Sequence, residues 1–260
     1  MTVTNNRPGS TSEVSAAGLT GTARTTGLLY LGLAVTGALG FQFVRGQLYV
    51  ADDPGGTLSN LVEHTSMARL GIVLELGIVL TQALAAVWFY RLFRSVDSFA
   101  AGLVAVFGMV NAVVILGSAS VLATALDVAD AKSLAVSGGA AATVQLLYVI
   151  SGHLWGVGGL FFGLWLIPMG WLVVRSRWLP RSLGQLLMVG GVGYVLSTFV
   201  SYVFSSADLV AGLLTVPATI GELWIVGYLI LFGVREHARP DPEGASGLRP
   251  REPTSSTDDV

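Results

Sequence analysis

Three ionisable side chains, Glu75, His153 and Glu222, each lie inside a long run of uncharged residues. A charged group at the centre of a bilayer costs about 2.5 to 3.5 kcal/mol even on the lenient insertion scale, so such residues face the interior of a helix bundle and have a partner. If the runs that carry them are helices entered from the outer surface, a rise of about 1.5 Å per residue puts all three roughly 9 to 16 Å deep, in one layer. Helices running the opposite way bring Gln42, Asn111, Tyr194, Ser197, Thr198 and Ser201 to the middle or outer half. One reading of this layer is a cavity open to the outside that binds a cation, a proton or a small polar molecule. Its candidate ligand-binding residues are Glu222, Glu75, His153, Asn111 and Tyr194. The other reading is structural, since polar side chains on packed membrane helices often only hydrogen-bond their neighbours, for about 0.6 kcal/mol on average.

For His153 the structural reading is the stronger. It stands in Ser151-Gly152-His153-Leu154-Trp155-Gly156, where the two glycines make a small-xxx-small face suited to close helix contact. Metal-dependent hydrolysis needs three or more convergent His or carboxylate ligands. His153 is the lone intramembrane histidine, with His64 near a rim and His237 in the C-terminal tail. A bis-His haem fails for the same reason, a retinal Schiff base fails because no Lys lies in a span, and the absence of Cys removes thiolate chemistry. No metal and no cofactor is therefore expected. Asp52-Asp53 reads as a solvated turn, because one carboxylate pair without further oxygen ligands holds a divalent cation weakly.

The elements that must carry these residues are membrane helices. Of the 260 residues, 53% are hydrophobic and 12% charged, and the mean hydropathy is +0.70, well outside the balance of soluble domains. One Lys and no basic cluster leave nothing to neutralise phosphates, so nucleic acid is set aside. Six apolar runs, at about 25–44, 70–90, 99–125, 144–174, 183–205 and 212–234, are each long enough to cross a core about 30 Å thick. The expected fold is all-α, a polytopic bundle of six transmembrane helices at 23–236, multi-pass in the cell membrane. The polar stretches 1–22 and 237–260 cannot bury enough apolar surface to order themselves and read as disordered cytoplasmic tails. In loop 1, Asn60 and Glu63 are spaced as a helix N-cap and its partner, which predicts a short surface helix before the second span.

Positive charge sets the orientation. With both termini inside, Arg7, Arg24, Arg91, Arg94, Arg175, Arg177, Arg181, Arg235, Arg239, Arg249 and Arg251 are cytoplasmic, and Arg45, Arg69 and Lys132 lie outside. That imbalance predicts N-in, C-in. Trp165, Trp171 and Trp178 are expected at the inner headgroup boundary. Arg175, Arg177 and Arg181 are expected to anchor the connection between spans four and five on anionic lipid. Gly156, Gly159 and Gly163 in span four and Gly184, Gly190, Gly191 and Gly193 in span five predict close backbone approach. The inner half is sparse in polar residues, with Gln82 and Gln185 the main ones.

Several strings carry a resemblance: Gly163-Leu164-Trp165-Leu166-Ile167-Pro168-Met169-Gly170, Leu179-Pro180-Arg181-Ser182-Leu183-Gly184, Gly193-Tyr194 and Pro217-Ala218-Thr219-Ile220-Gly221-Glu222. Upstream, Ala23-Arg24, Gly27-Leu28-Leu29-Tyr30-Leu31 and Arg69-Leu70-Gly71-Ile72 join them. In this order and spacing the chain resembles the bacterial family called domain of unknown function 4386, over about Ala23 to Val234. The resemblance implies a multi-pass helical membrane protein without an established activity. Glu222 falls on the family's Gly-Glu pattern and Arg181 on its Leu-Pro-Arg/Lys pattern, whereas Glu75 and His153 match no motif of it.

The function expected from all this is non-enzymatic: sensing a ligand, assisting a partner complex or serving the envelope, with the lipid bilayer as partner and a small polar ligand or cation as a candidate one. A small-molecule or ion transporter using Glu75, His153 and Glu222 comes second, and an intramembrane enzyme third.

Overall fold

The computed structural model describes residues 9–131, 139–204 and 206–234. All regular structure among them is helical: α1 (Gly9–Gly37), a π-helical turn (Ala38–Val44), α2 (Arg45–Leu48), α3 (Pro54–Glu63), α4 (Thr65–Phe93), α5 (Ser98–Ala131), α6 (Gly139–Ser176), α7 (Arg181–Val203) and α8 (Asp208–Leu231). Six helical stretches are long and apolar enough to cross a membrane: Gly18–Leu48, Thr65–Phe93, Ser98–Ala131, Gly139–Ser176, Arg181–Val203 and Asp208–Leu231. The polytopic six-helix architecture is the one expected from the sequence. Helix α1 starts earlier than the apolar run, so residues 9–22, expected to belong to a disordered tail, are helical. At the start of the first crossing the Thr22, Thr25 and Thr26 hydroxyls donate to carbonyls four residues back, which satisfies these polar groups within the helix itself. Residues 1–8, Lys132 and 235–260 lie outside the described residues.

Each crossing packs on its neighbours in sequence, and α8 closes the ring on α1. The closure is tight because Gly27 faces Ile230 and Leu229, where a Cβ would meet side-chain carbons at 2.9 and 3.0 Å, respectively. Gly233, at φ 67°, lies against Thr20. Both ends of the ring thus share one face, here the terminal face. That end is filled by a buried core including Phe89, Phe93, Trp165, Leu166, Met169, Leu172, Leu183, Leu187, Ile225 and Leu229. Outward positions such as Val73, Val113 and Val189 are 60% or more exposed, as an apolar solvent permits.

At the opposite, loop face a second cluster joins Val44, Leu48, Leu61, Ala68, Ala125, Leu126, Val144 and Tyr148. Helix α3 is the expected short surface helix, but its cap is a different residue. Asp53 caps it, accepting from Gly56 N at 2.9 Å with Pro54 at the first position. Asn60 sits inside the helix and donates to the Leu48 carbonyl at 3.3 Å, and Ser59 donates to Glu63 at 3.0 Å. The Asp-Pro pair outcompetes Asn60 because its proline sets the first helical φ.

Trp165 departs from its expected place at the headgroup boundary. It is fully buried, packed on Tyr30 and Phe89 with ring centroids 5.6 and 5.7 Å away. Gly108 makes the room, since a Cβ there would lie 2.3 Å from the indole. Trp171 is 48% exposed, and Trp178 stacks on Phe93 at 5.8 Å.

Between α4 and α5, Asp97 Oδ1 accepts from Ala100 N at 3.1 Å and Oδ2 pairs with Arg175 at the end of α6. The backbone amide of Ala100 first, and the guanidinium after it, hold the Asp97 carboxyl below the ordinary range. A carboxyl whose pKa is lowered by folding stabilises above its unfolded value, near 3.9, and that contribution is lost as pH falls through the lower folded value. The protein should therefore unfold at a higher temperature than Asp97→Asn at pH 6, with the gap closing below about pH 4. A gap that persists at pH 3 would show that the carboxylate charge is not what matters. Because the pair is exposed, the gap should be small.

Candidate functional site

The middle of the ring is hollow. A cavity of about 780 Å³ is bounded by α1 and its π-helical turn together with α4, α5, α6, α7 and α8. Its floor, towards the terminal face, is Tyr30 and Glu222, with the Tyr30 hydroxyl donating to Glu222 Oε1 across α1 and α8. Tyr30 in turn rests on Phe89 and Trp165, so the aromatic core closes the cavity below. Tyr194 stands on the wall, edge-on to Phe162 at 5.3 Å. Gln82 and Asn111 enter as a pair, Asn111 Nδ2 donating to Gln82 Oε1 at 2.9 Å, and Gln82 Nε2 is buried without a hydrogen-bond partner among the described residues. Towards the loop face the lining becomes exposed at His153 and Tyr202, whose Nδ1 and hydroxyl are 3.4 Å apart.

Glycines shape the wall. Gly156 and Gly159, expected to pack helices, line the cavity instead, and a Cβ on them would meet Tyr202 at 3.3 Å and the Tyr194 ring at 3.3 Å. The close helix contacts lie deeper, at Gly163 against the Gly191 carbonyl and Gly170 against the Gly184 carbonyl, where a Cβ would come within 2.8 and 2.4 Å.

Four of the five candidate ligand-binding residues, Glu222, His153, Asn111 and Tyr194, line this cavity. Glu75 does not. It is 3% exposed and belongs to a separate polar chain behind the wall. Glu75 Oε1 accepts from Ser118 Oγ at 3.2 Å and from Trp155 Nε1 at 3.0 Å, Ser118 meets Ser151 at 2.9 Å, and Ser151 accepts from Arg45 Nη1 at 2.8 Å. Arg45 Nη2 donates to the Tyr148 carbonyl at 2.6 Å, and its guanidinium lies 5.4 to 5.5 Å from the Phe41, Tyr49 and Tyr148 rings. Glu75 and Arg45 also border a small, partly open pocket of about 20 Å³, room for a single water. Trp155 joins the two sites, since its ring lines the cavity while its N–H holds Glu75.

Arg45, read from sequence as a flanking loop charge, thus enters the bundle. The π-helical turn does this: Arg45 N–H bonds the Gly40 carbonyl five residues back, and one extra residue in a turn rotates the downstream helix by about 100°. Gln82 joins the cavity with Asn111, not an inner polar path. The sequence offers no separate sign for Arg45, because an Arg at a span end looks like a topology signal, whereas Tyr30 sits in one of the family-like strings.

The family model described as domain of unknown function (DUF4386) matches residues 25–233. The chain belongs to this family. The matched region contains five crossings of the DUF4386 ring whole, the first from residue 25 onwards, and every residue of the cavity. No curated protein and no solved structure matches the chain.

Proposed function

We propose that this DUF4386 protein is a non-enzymatic membrane protein that captures a small molecule in the cavity of its six-helix ring. The observation that carries this is the cavity itself: about 780 Å³ is within the usual size of small-molecule sites, and its mostly apolar wall offers a few convergent polar groups. Gln82 lines the cavity with its amide nitrogen buried and unpartnered among the described residues, at a cost of about 1 to 3 kcal/mol that a ligand acceptor would relieve once the side chain turns towards it. No group of three or more His, Cys, Asp or Glu placed to hold a metal occurs among the described residues. With both termini in the cytoplasm, as the Arg distribution favours, the exposed rim at His153 and Tyr202 faces outside and suits a sensor or capture protein. A carrier is the second reading, favoured by the aromatic floor at Tyr30, Phe89 and Trp165, which stands where an inner gate would.

Ala34 lines the cavity and is exposed to it, so Ala34→Trp should fill the space without disturbing the core. Equilibrium dialysis of neutral triphenylphosphine oxide against the protein in lipid nanodiscs, with empty discs subtracted, should show saturable binding weakened at least about tenfold in Ala34→Trp, at an unchanged unfolding temperature. Equal saturable binding by both proteins would place the ligand elsewhere and sink the reading.

A further inference from the structure

We propose that the cavity takes an amphiphilic organic cation, with the Glu222 carboxylate as its counter-ion; this rests on the reading of the cavity as a small-molecule site. Glu222 is the one acidic side chain among the cavity's described lining, and that lining contains no Arg or Lys. The Arg45 guanidinium is committed elsewhere, to Ser151, the Tyr148 carbonyl and three aromatic rings. The one ion pair among the described residues, Arg175 with Asp97, is remote from the floor. A carboxyl placed in a membrane interior with a hydroxyl donor but no protein cation is matched by a proton or by a cation brought in by a ligand.

The surroundings select the kind of cation. Metal ions such as Ca²⁺ take about six to eight oxygen ligands, and Glu222 has one oxygen neighbour, the Tyr30 hydroxyl, within hydrogen-bond reach. What lies around it is aromatic: Tyr30 beside it, and Trp155, Phe162 and Tyr194 along the wall. Rings of this kind hold a weakly hydrated organic cation by its charge and cover its apolar substituents at the same time. The size of the cavity, about 780 Å³, accommodates a molecule with several such substituents. An anion finds no positive side chain there, and Glu222 repels it.

The test uses the full chain in nanodiscs of zwitterionic lipid and three probes of similar shape: tetraphenylphosphonium, tetraphenylborate and neutral triphenylphosphine oxide, each with empty discs subtracted. Wild type should bind tetraphenylphosphonium at least about tenfold more tightly than the neutral probe, and tetraphenylborate least. Glu222→Gln should lose about tenfold for the cation and stay within about threefold for the neutral probe, while Glu222→Asp, which keeps the charge, should retain part of the preference. If Glu222→Gln fails to fold, the order of the three probes on wild type decides. Equal binding of the cation and the neutral probe, or a Glu222→Gln protein with an undiminished cation preference, would overturn the proposal and leave the cavity reading standing. Saturable binding by none of the three probes would bring down that reading, and the cation proposal with it.

Discussion

Arg45→Met should destabilise the folded protein by about 2 to 3 kcal/mol, less than the roughly 3 to 5 kcal/mol typical of breaking a fully buried ion pair, because the half-buried guanidinium makes two charge-assisted hydrogen bonds and reaches Glu75 only through two serines. The guanidinium holds Ser151 Oγ and the Tyr148 carbonyl at 2.8 and 2.6 Å, and through Ser151 and Ser118 it is linked to Glu75, which has one unpartnered buried oxygen. Methionine would fill the volume and keep contact with the three rings but leave the two acceptors bare and the carboxyl without a compensating charge. The second replacement, Glu75→Gln, supplies the internal control. If the two groups act as one electrostatic unit, Arg45→Met combined with Glu75→Gln should cost less than the sum of the single changes, by about 0.5 to 3 kcal/mol. Unfolding titrations of the four proteins in one membrane mimetic measure that difference. Strict additivity would mean that Arg45 and Glu75 act independently and that the serine chain carries no coupling between them. Because Trp155 spans from Glu75 to the cavity, Arg45→Met should also weaken binding of the neutral probe, although Arg45 does not line the cavity.

Each sequence signal reports on the physical quantity that produces it. Hydropathy over windows of about twenty residues is set by the bilayer, so the six crossings and their order are legible from end to end, and so is the family. Polar residues inside the runs are equally visible, and four of the five candidates come together around one space. Residue counting puts Glu75 in one layer with Glu222 and His153, yet Glu222 lies on the cavity floor beside Tyr30, His153 lies near the opposite rim beside Tyr202, and Glu75 sits behind the wall, because depth and azimuth both depend on where each helix begins, winds and bends. The π-helical turn shows how little is needed: one residue inserted between Ala38 and Val44 turns Arg45 from a flank into the interior, and no composition signal marks it. Trp165 leaves its expected place for a related reason. Tryptophan near a span end usually seeks the headgroups, but a glycine opposite it, Gly108, lets the ring enter the core, and that pairing across two helices has no expression in the local sequence. The glycines of α6 and α7 are recognisable as places of close approach, although which of them touch backbone and which border the cavity is visible only in three dimensions.

That division among glycines leads to the other large expected effect. On α7, a Cβ at Gly190 would lie 2.5 Å from the Cα and N of Ala218, and one at Gly193 would lie 2.2 Å from the Leu214 carbonyl oxygen. Both obstacles are backbone of α8, which cannot swing aside like a side chain, so α7 and α8 must separate. Gly212 and Gly227 on α8 have nothing within 4 Å of a Cβ. Replacing glycine by alanine inside a helix gains about 1 kcal/mol of propensity where space allows, and overpacking a tight contact costs about 1 to 3 kcal/mol or more. Gly212→Ala and Gly227→Ala should therefore be neutral or mildly stabilising, whereas Gly190→Ala and Gly193→Ala should each lose about 2 kcal/mol net. The loss should reach the cavity too, because α7 carries Tyr194, Ser197, Thr198 and Ser201 on its wall, and a helix pushed off α8 moves that wall relative to Glu222. Thermal unfolding and probe binding on the four variants in the same nanodiscs give the comparison. Should Gly190→Ala and Gly193→Ala unfold and bind like Gly212→Ala, the α7–α8 seam is not the close contact that sets the cavity's shape.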